Sequence, residues 1–294
     1  MKKAIVIYNP ISGKGQSAAA ANAMKTSALS KQYDFTFIPT EYHEHATEIV
    51  KKYLVEGIKN FIAIGGDGTI NEIGAVLKNT DAILGIIPTG SGNGLAKHIG
   101  MSTNVEIAIK QLAIAETKSI DTLEINNHFA VNVSGFGFDG YVAYRFNHYG
   151  KRGLSTYTKI GLSEYFHYPL QNFEISINDQ IINVKKHMLV IANASQFGNA
   201  AIIAPSANIT DGILELVAVE LPPLFKIPKV LYRLFTGRIK DDRNIQTYKC
   251  TSFKASSSKK VHLHIDGESM EPVKEIQVVI NPQSLNILVP KHVK

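Results

Sequence analysis

The sequence predicts an N-terminal three-layer α/β domain with a parallel sheet, followed by an all-β domain that forms an antiparallel sandwich or a barrel. Up to about residue 121, patterns typical of buried strands alternate with patterns typical of helices. Beyond that point the sequence carries many short strand patterns with little helix between them. Alternating strands and helices favour a parallel sheet covered on both faces, and many short strands favour a sandwich or barrel.

The first domain, residues 1–121, opens with an apolar run rich in β-branched residues, which predicts a buried strand at 4–8. The alanine-rich segment 17–28 predicts a helix. The same reasoning predicts strands at 34–37, 61–64 and 83–87 and helices at 46–55, 70–77 and 105–115.

The second domain, residues 122–294, is predicted from paired strand patterns. Asn126-Asn127 and Asn178-Asp179 each separate two such patterns, which is typical of a hairpin turn. The last residues of the chain either stay in this domain or return to the first. The predicted strands are 123–125, 129–133, 173–177, 181–184, 188–192, 213–219, 261–265, 276–280 and 285–289.

Composition limits the functional classes. A single cysteine, Cys250, excludes an intramolecular disulfide and a cysteine-based metal site. The first apolar run ends at Asn9-Pro10, and no run approaches the roughly 20 apolar residues of a membrane-spanning helix. We therefore expect a cytoplasmic protein, in peripheral contact at most with the inner membrane face. The net charge of +6 suits nucleotides or anionic membranes, or serves solubility alone, and the scattered lysines argue against nucleic acid.

Three glycine-rich turns, at residues 9–15, 65–69 and 88–94, follow three predicted strands. Turns at the carboxyl ends of strands line the ligand crevice of an open α/β sheet. Glycine lets phosphate oxygens approach backbone N–H groups, and a following helix offers its first N–H groups to an anion. One such turn alone is often only a tight turn, but three predict a phosphate site. The spacing is not that of a Walker A loop, because Gly15 follows Gly13-Lys14.

With Asn9-Pro10-Ile11-Ser12-Gly13 upstream and Pro88-Thr89-Gly90-Ser91-Gly92-Asn93 downstream, Gly65-Gly66-Asp67-Gly68-Thr69 resembles the diacylglycerol kinase and sphingosine kinase-like lipid kinase family. The resemblance extends over essentially the whole chain and implies ATP and Mg²⁺ as cofactors. The implied ATP contacts are Asn9, Pro10, Ser12, Gly13, Thr40, Gly65, Gly66, Asp67, Gly68, Thr69, Asn71, Thr89, Gly90, Ser91 and Asn93.

Asp67 is the acidic residue of the central turn. A carboxylate beside phosphates would repel them unless Mg²⁺ lay between, and Mg²⁺ prefers oxygen ligands. The alternative for Asp67 is a turn-forming role. Lys14 and Lys97 either neutralise phosphate charge or are solvated.

Asp266-Gly267-Glu268 matches the element in which the family places its proposed base. Phosphoryl transfer to an alcohol needs a carboxylate to orient the hydroxyl or take its proton. We name Glu268 first and Asp266 beside it. Val261, Leu263 and Ile265 alternate with His262, His264 and Asp266, so the latter three are predicted to share the opposite strand face. Asp-Gly is also a leading hairpin-turn signal, which is the alternative.

Two further segments carry expectations. Asn208, Asp211 and Ile213 match a structural divalent-cation site of the family, and a plain turn is the alternative. Residues 224–238 combine apolar and basic side chains around Pro228, so they form either a membrane-surface segment or, as we favour, a core-packed helix with a basic solvated face.

The resemblance implies an ATP-dependent kinase that transfers the γ-phosphate of ATP to a lipid hydroxyl, diacylglycerol-like or sphingoid-like, in a cleft between the two domains. Asn93-Gly94-Leu95-Ala96 is closer to the sphingosine and ceramide kinase form than to the Asn-Asp-Phe-Ala of bacterial diacylglycerol kinases, which leaves the lipid open. The alternatives are an NAD kinase-like enzyme and a regulator that binds nucleotide or lipid without turnover. A homodimer is also left open.

Overall fold

The computed structural model describes residues 1–149, 154–198 and 201–291. The chain divides into two compact units. The first unit is Met1–Asp121 with Gln283–Lys294, and the second is Thr122–Pro282. The chain therefore leaves the first unit once and ends in it. Among the described residues, no helix has both the length and the hydrophobicity needed to span a membrane.

The first unit is built on a parallel sheet. Strands β1 (Lys2–Tyr8), β2 (Tyr33–Pro39), β3 (Asn60–Gly65) and β4 (Ile83–Pro88) lie in the order β2-β1-β3-β4, and neighbours run parallel. The end of the last strand, β14 (Glu268–Val289), lies parallel beside β4. Most residues of β3 and β4 are buried, as in sheets covered on both faces. The predicted parallel sheet is confirmed.

In the described part of the first unit, five helices accompany this sheet, namely α1 (Gln16–Lys25), α2 (His45–Val55), α3 (Asp67–Leu77), α4 (Gly94–His98) and α5 (Val105–Ala113). The helix α2 packs against α3, whereas α1 packs against α5, so these four helices form two groups, as right-handed crossovers on the two faces of the sheet require. In α2 the buried face consists of Ala46, Ile49 and Val50.

The strand order determines where a ligand crevice forms. From β1 the chain moves outward to β2 and then returns past β1 to β3 and β4. The strands β1 and β3 are therefore adjacent but lead to helices on opposite faces, and a crevice opens at their carboxyl ends. The first and second glycine-rich turns follow these two strands.

The second unit is built from antiparallel strands. They are the end of β5 (Glu116–Ile125), which begins in the first unit, together with β6 (His128–Ala130), β7 (Val133–Gly137), β8 (Gln171–Ile177), β9 (Gln180–Lys186), β10 (Met188–Ala192), β11 (Leu214–Val219), β12 (Ile245–Cys250) and β13 (Ser252–Ile265). One layer has the order β12-β11-β10-β7-β13, while β8 pairs with β13 and β9.

The long strand β13 joins the two layers of this unit. Its first half pairs with β8 and its end pairs with β7, with a break in its pairing to β14 between Ser256 and Val261. The rings of Phe136 on β7 and Phe173 on β8 lie 5.5 Å apart in the shared core. The predicted antiparallel sandwich is confirmed.

The predicted hairpin turns are also present. Asn126 and Asn127 have φ angles of 48° and 66°, and Asn178 and Asp179 have φ angles of 50° and 64°. Two successive positive φ angles define the type I′ turn, whose twist matches that of the flanking strands. Asparagine and aspartate tolerate this conformation better than other side chains do.

The expectation of little helix in the second unit is wrong. It contains α6 (Phe138–His148) and α7 (Leu154–Glu164), which were not predicted, in addition to α8 (Ile227–Phe235), which corresponds to the helix favoured for residues 224–238. In α6 the buried positions include Asp139 and Gly140, so its apolar pattern has no clear helical period. The helix packs against β13, and this tertiary contact outweighs the weak local signal.

Candidate active site

The three glycine-rich turns contact one another at the carboxyl edge of the parallel sheet. A Cβ added to Gly90 would lie 2.5 Å from the Cα of Gly66, so the second and third turns touch backbone to backbone. A Cβ on Gly13 would lie 2.3 Å from the carbonyl oxygen of Thr89, which brings the first turn against the third. Gly13 also has a φ of 59°, a conformation that favours glycine.

Backbone hydrogen bonds fix the ends of the strands that carry these turns. The N–H of Thr40 donates to the carbonyl of Tyr8 at 2.9 Å, and the N–H of Thr89 donates to that of Gly65 at 2.9 Å. The predicted ATP contacts all lie in the first unit, after β1 (Asn9, Pro10, Ser12, Gly13), after β2 (Thr40), at the end of β3 and in α3 (Gly65, Gly66, Asp67, Gly68, Thr69, Asn71), and after β4 (Thr89, Gly90, Ser91, Asn93).

A buried hydroxyl pair, which the sequence analysis missed, links the first and third turns. The hydroxyl oxygens of Ser17 and Thr89 lie 2.6 Å apart and both side chains are buried. Ser17 is in the first turn of α1, 72 residues from Thr89. A serine in an alanine-rich helix gives no sequence signal for such a partner.

The Asp67 carboxylate holds the third turn. Its Oδ2 accepts the N–H of Asn93 and its Oδ1 accepts the N–H of Gly94, both at 2.8 Å. These donors begin α4, so Asp67 caps that helix from a distant position in the sequence. At the start of the helix after the third turn, the N–H groups of Asn93 and Gly94 are therefore bound by a side-chain carboxylate, and binding of a ligand anion there stays a prediction.

Glu72, on the same helix as Asp67, acts in a similar way on α2. Its carboxylate oxygens accept the N–H groups of Glu44 and Ala46, each at 3.2 Å. Burial raises the pKa of Glu72, and these two hydrogen bonds oppose the increase. The two acidic residues of α3 thus fix the starts of two neighbouring helices.

The turns fit a bound nucleotide phosphate. Their backbones are in contact at Gly66 and Gly90, where side chains would collide, and α3 begins beside them with N–H groups that have no carbonyl partner within an α-helix. Burial lowers the pKa of Lys97, and the Asp67 carboxylate opposes this decrease, so the two groups are electrostatically coupled. The side chain of Lys14, the other predicted phosphate-neutralising lysine, lies outside the described part of the structure.

The donor set for Mg²⁺ is small. Among the described residues, no three His, Cys, Asp or Glu side chains lie close enough to hold a metal ion. Mg²⁺ commonly uses one or two carboxylates together with nucleotide phosphates and water. Asp67 fits that role, because its carboxylate lies beside the glycine-rich turns, where it accepts the N–H groups of Asn93 and Gly94.

In the second unit, Asp266 and Gly267 form the hairpin turn between β13 and β14. Their φ angles are 49° and 92°, and Ile265 pairs with Glu268. The prediction that Asp266 shares a strand face with His262 and His264 is therefore wrong, because the strand ends at Ile265. The hairpin alternative is what the structure shows, since two-residue Asp-Gly turns favour positive φ at both positions.

The Asp266 carboxylate is buried and tied to backbone. Its oxygens accept the N–H groups of Val131 and Asn132 at 2.8 and 2.9 Å, and its own N–H donates to the Ser134 hydroxyl at 3.2 Å. Glu268, by contrast, is exposed at the start of β14. The two predicted carboxylates are thus separated by a single residue in the sequence but lie in different environments.

A buried pair of Asp139 and His264 lies beside this turn. His264 Nε2 is 3.1 Å from Asp139 Oδ2, and His264 Nδ1 accepts the N–H of Gly267 at 3.1 Å. Because Nδ1 accepts a hydrogen bond, the proton is assigned to Nε2, which donates to the carboxylate. The pair therefore anchors α6 to the turn that carries Asp266.

Sequence reasoning missed Asp139, although its surroundings carried a signal. In Gly135-Phe136-Gly137-Phe138-Asp139-Gly140, a Cβ on Gly135 would lie 1.9 Å from Asp139 Oδ2, and one on Gly140 would lie 2.4 Å from the His262 carbonyl oxygen. Closely spaced glycines around an acidic residue indicate such close backbone packing.

The predicted cation site forms ordinary turn contacts. Asn208 Oδ1 accepts both the N–H and the hydroxyl of Thr210, at 3.1 and 2.8 Å. Asp211 Oδ1 accepts the N–H of Ile213 at 3.0 Å. Both side chains stabilise their own loop in this way. A cation bound by Asn208, Asp211 and Ile213 stays a prediction.

Two family models match the chain in succession. Residues 3–125 match the diacylglycerol kinase catalytic domain, and residues 132–289 match the YegS C-terminal NAD kinase beta sandwich-like domain. The diacylglycerol kinase of Bacillus subtilis is 24% identical over 91% of this chain and 90% of its own length. The diacylglycerol kinase of Mycobacterium tuberculosis is 24% identical over 99% of this chain and 96% of its own.

The fold is found in solved structures as well. Two crystal structures from Bacillus anthracis align over 99% of this chain, with TM-scores of 0.81 and 0.75 and 18% identity in each case. The alignments cover 96% and 97% of the two Bacillus anthracis chains, and the second of these proteins is named as a diacylglycerol kinase. At this identity the similarity shows the fold alone.

These matches place the chain among proteins with a diacylglycerol kinase catalytic domain. More particularly, it belongs to the lipid kinase family in which that domain is followed by the YegS-type sandwich domain.

Proposed function

We propose that this protein is an ATP-dependent kinase that transfers the γ-phosphate of ATP to the hydroxyl group of a lipid. The observation that carries the proposal is the mutual backbone contact of three glycine-rich turns at the switch point of the parallel sheet. A phosphate chain needs close approach to several backbone N–H groups at once, and such a crevice is where open α/β sheets bind ligands.

The proposed step is an in-line displacement at phosphorus. A bond forms between the lipid hydroxyl oxygen and the γ-phosphorus, and the bond from that phosphorus to the β–γ bridging oxygen breaks, so ADP leaves. The hydroxyl proton passes to a carboxylate of the protein and then to solvent. The turns of the first unit hold the phosphates in position, which is the main protein contribution to phosphoryl transfer.

Asp67 is assigned two tasks in this proposal. It positions the third turn through Asn93 and Gly94, and it would be a carboxylate ligand of Mg²⁺ beside the nucleotide phosphates. Mg²⁺ supplies neutralisation of the phosphate charge. The Asp67→Asn variant separates the tasks when ATP binding is measured with and without Mg²⁺. Loss of metal binding weakens ATP binding only when Mg²⁺ is present, whereas a displaced turn weakens it in both conditions.

The carboxylate that takes the proton of the lipid hydroxyl is assigned to the Asp266–Glu268 hairpin. Asp266→Asn and Glu268→Gln keep the shape of each side chain but remove its basicity. The variant that loses the acting base is expected to lose transfer by about 10²-fold or more while ATP binding stays unchanged. Because Asp266 holds Val131 and Asn132, its variant is also tested for stability. If both variants transfer phosphate as fast as the parent protein, the hairpin does not supply the base.

The overall proposal is tested by incubating the protein with labelled ATP and a fractionated lipid extract, followed by identification of the labelled product. A labelled lipid phosphate that depends on Asp67 supports the proposal. Formation of NADP from NAD and ATP, with no labelled lipid, would establish an NAD kinase instead. Tight ATP binding with no transfer to any lipid fraction would establish a regulator without turnover.

A further inference from the structure

The helix α8 carries two apolar stripes, and its own unit uses only one of them. Ile227, Val230 and Leu234 are half-buried, and the last two pack against a core formed by β10 and β11. Their spacing of three and four residues places them on one face of the helix. This inward stripe confirms that the segment packs on the core, and Pro228 stands in the first turn rather than interrupting the helix.

The second stripe faces outward. Pro228, Leu231, Tyr232 and Phe235 are all exposed and have the spacing i, i+3, i+4 and i+7 of a helix face. Tyr232 is 59% and Phe235 51% exposed, and Phe225, in the turn before the helix, is 80% exposed. Single exposed apolar residues are common, but a contiguous group on one face marks an interaction surface. We call Leu224, Phe225, Leu231, Tyr232 and Phe235 the outer stripe.

Positive charge is concentrated around the outer stripe. Residues 224–244 contain six Lys or Arg residues and two Asp residues, a net charge of +4, whereas the whole chain carries +6. Lys226, Lys229, Arg233 and Arg243 line a pocket of about 460 Å³ beside the helix, together with the two carboxylates Asp241 and Asp242.

Most of these cations are available to a partner. Arg233 is committed to the fold, because it donates to Asp242 at 2.8 Å. In the described part of the chain, neither Lys229 nor Arg243 forms an ion pair, and Lys226 lies 5.7 Å from the ring of Phe225. Apolar side chains and free cations thus lie side by side on one surface.

We propose that the outer stripe and its cations form a docking surface for an anionic phospholipid bilayer. The apolar side chains enter the region between headgroups and acyl chains, and the cations bind lipid phosphates, as in amphipathic helices that lie in the membrane interface. The inference rests on the proposed function, because a kinase whose acceptor is a membrane lipid must reach it at the bilayer surface.

The charge argues against a second copy of the chain as the occupant. Pairing two such surfaces across a two-fold axis would bring two patches of +4 together. Like charges at close range oppose association, whereas an anionic bilayer attracts the same patch.

The test is sedimentation of the full chain with vesicles of phosphatidylcholine alone and of phosphatidylcholine mixed with phosphatidylglycerol. The parent protein is expected to bind the anionic vesicles and to lose binding as salt is raised. Phe225→Ser with Phe235→Ser is expected to weaken binding by about tenfold or more, since each removes a large apolar side chain from the interface. Lys229→Glu with Arg243→Glu is expected to weaken it by about 25-fold or more, from about fivefold for each cation.

Matched control variants lie elsewhere on the surface. Phe166→Ser removes another exposed aromatic ring, and Lys51→Glu reverses another exposed cation; neither is expected to change vesicle binding. If the parent protein does not bind anionic vesicles, or if the outer-stripe variants bind as the parent does, the proposal is overturned. It is also overturned if the parent is a dimer that the Phe225 and Phe235 changes dissociate.

A second measurement separates this proposal from the kinase proposal. Phosphorylation is assayed with lipid dispersed in detergent and with the same lipid in anionic vesicles. The outer-stripe variants are expected to act normally on dispersed lipid and to lose activity on vesicles. Vesicle binding without any lipid phosphorylation would overturn the kinase proposal and leave the docking surface standing, and activity on dispersed lipid without vesicle binding would do the reverse.

Discussion

The contact between Gly66 and Gly90 makes a sharp prediction for the Gly90→Ala variant. The added Cβ would lie 2.5 Å from the Cα of Gly66 and 2.9 Å from Oδ1 of Asn93. Carbon atoms in contact normally lie about 3.5 Å apart, so the two turns must separate by about 1 Å. Gly90 is not among the glycines with positive φ, so the effect comes from this collision and not from backbone strain.

A displacement of about 1 Å in groups that position a reacting phosphate lowers activity by about 10²-fold. The expected stability cost is about 1–3 kcal/mol, as for other overpacked sites. ATP binding is measured by calorimetry, phosphate transfer with labelled ATP, and stability by urea denaturation. We expect a large loss of ATP binding with a modest loss of stability.

The control is Gly161→Ala. A Cβ there meets no atom within 4 Å, and the residue lies inside α7, so the variant is expected to fold at least as well as the parent and to keep its activity. If Gly90→Ala binds ATP and transfers phosphate as the parent does, the three turns do not form the nucleotide site.

Three other predictions concern the second unit. His264→Ala removes the hydrogen-bond donor of Oδ2 of the buried Asp139 carboxylate, whose Oδ1 still accepts the N–H of Gly140, and is expected to cost about 1–3 kcal/mol in urea denaturation, and His264→Gln less. Burial raises the pKa of the Cys250 thiol to about 11, so it should react with a thiol reagent at pH 8 only after denaturation, and reaction of the native protein would contradict this. Burial lowers the pKa of His187, whose Nδ1 accepts the N–H of Leu221. The unfolded state then binds more protons than the folded state once pH falls below the ordinary histidine pKa of about 6.5, so denaturation midpoints should fall from that pH downward, and less so in His187→Gln.

Much of the fold was predictable because its signals are local. Apolar runs predicted β1, β3 and β4, and residues 126–127 and 178–179 predicted hairpin turns. Each of these signals depends on neighbours within a few residues. The helix α6 was missed because its stability comes from packing on β13, which lies more than 100 residues away.

The candidate site likewise combines features that local sequence reveals with contacts that depend on the fold. The glycine-rich turns were visible in the sequence, but their mutual contacts were not, because Gly13 meets Thr89 across 76 positions. Asp139 and His264, which form the buried pair, lie 125 residues apart in the sequence. Sequence patterns identify residue types that suit a chemistry, whereas only the topology determines which of them meet.

The acidic residues of the motifs show why a suitable residue type does not by itself establish a catalytic role. Asp67, Glu72 and Asp266 each accept two backbone N–H groups from segments distant in sequence. A carboxylate bound in this way fixes a loop whether or not it also touches a substrate, since charge-assisted hydrogen bonds to backbone are among the stronger polar contacts. Loss of activity after its replacement therefore does not by itself identify a catalytic group. The decisive observation is a change in the rate of phosphate transfer while nucleotide binding and stability stay constant. Within the hairpin, Glu268 allows the most direct test, because it is exposed at the start of β14.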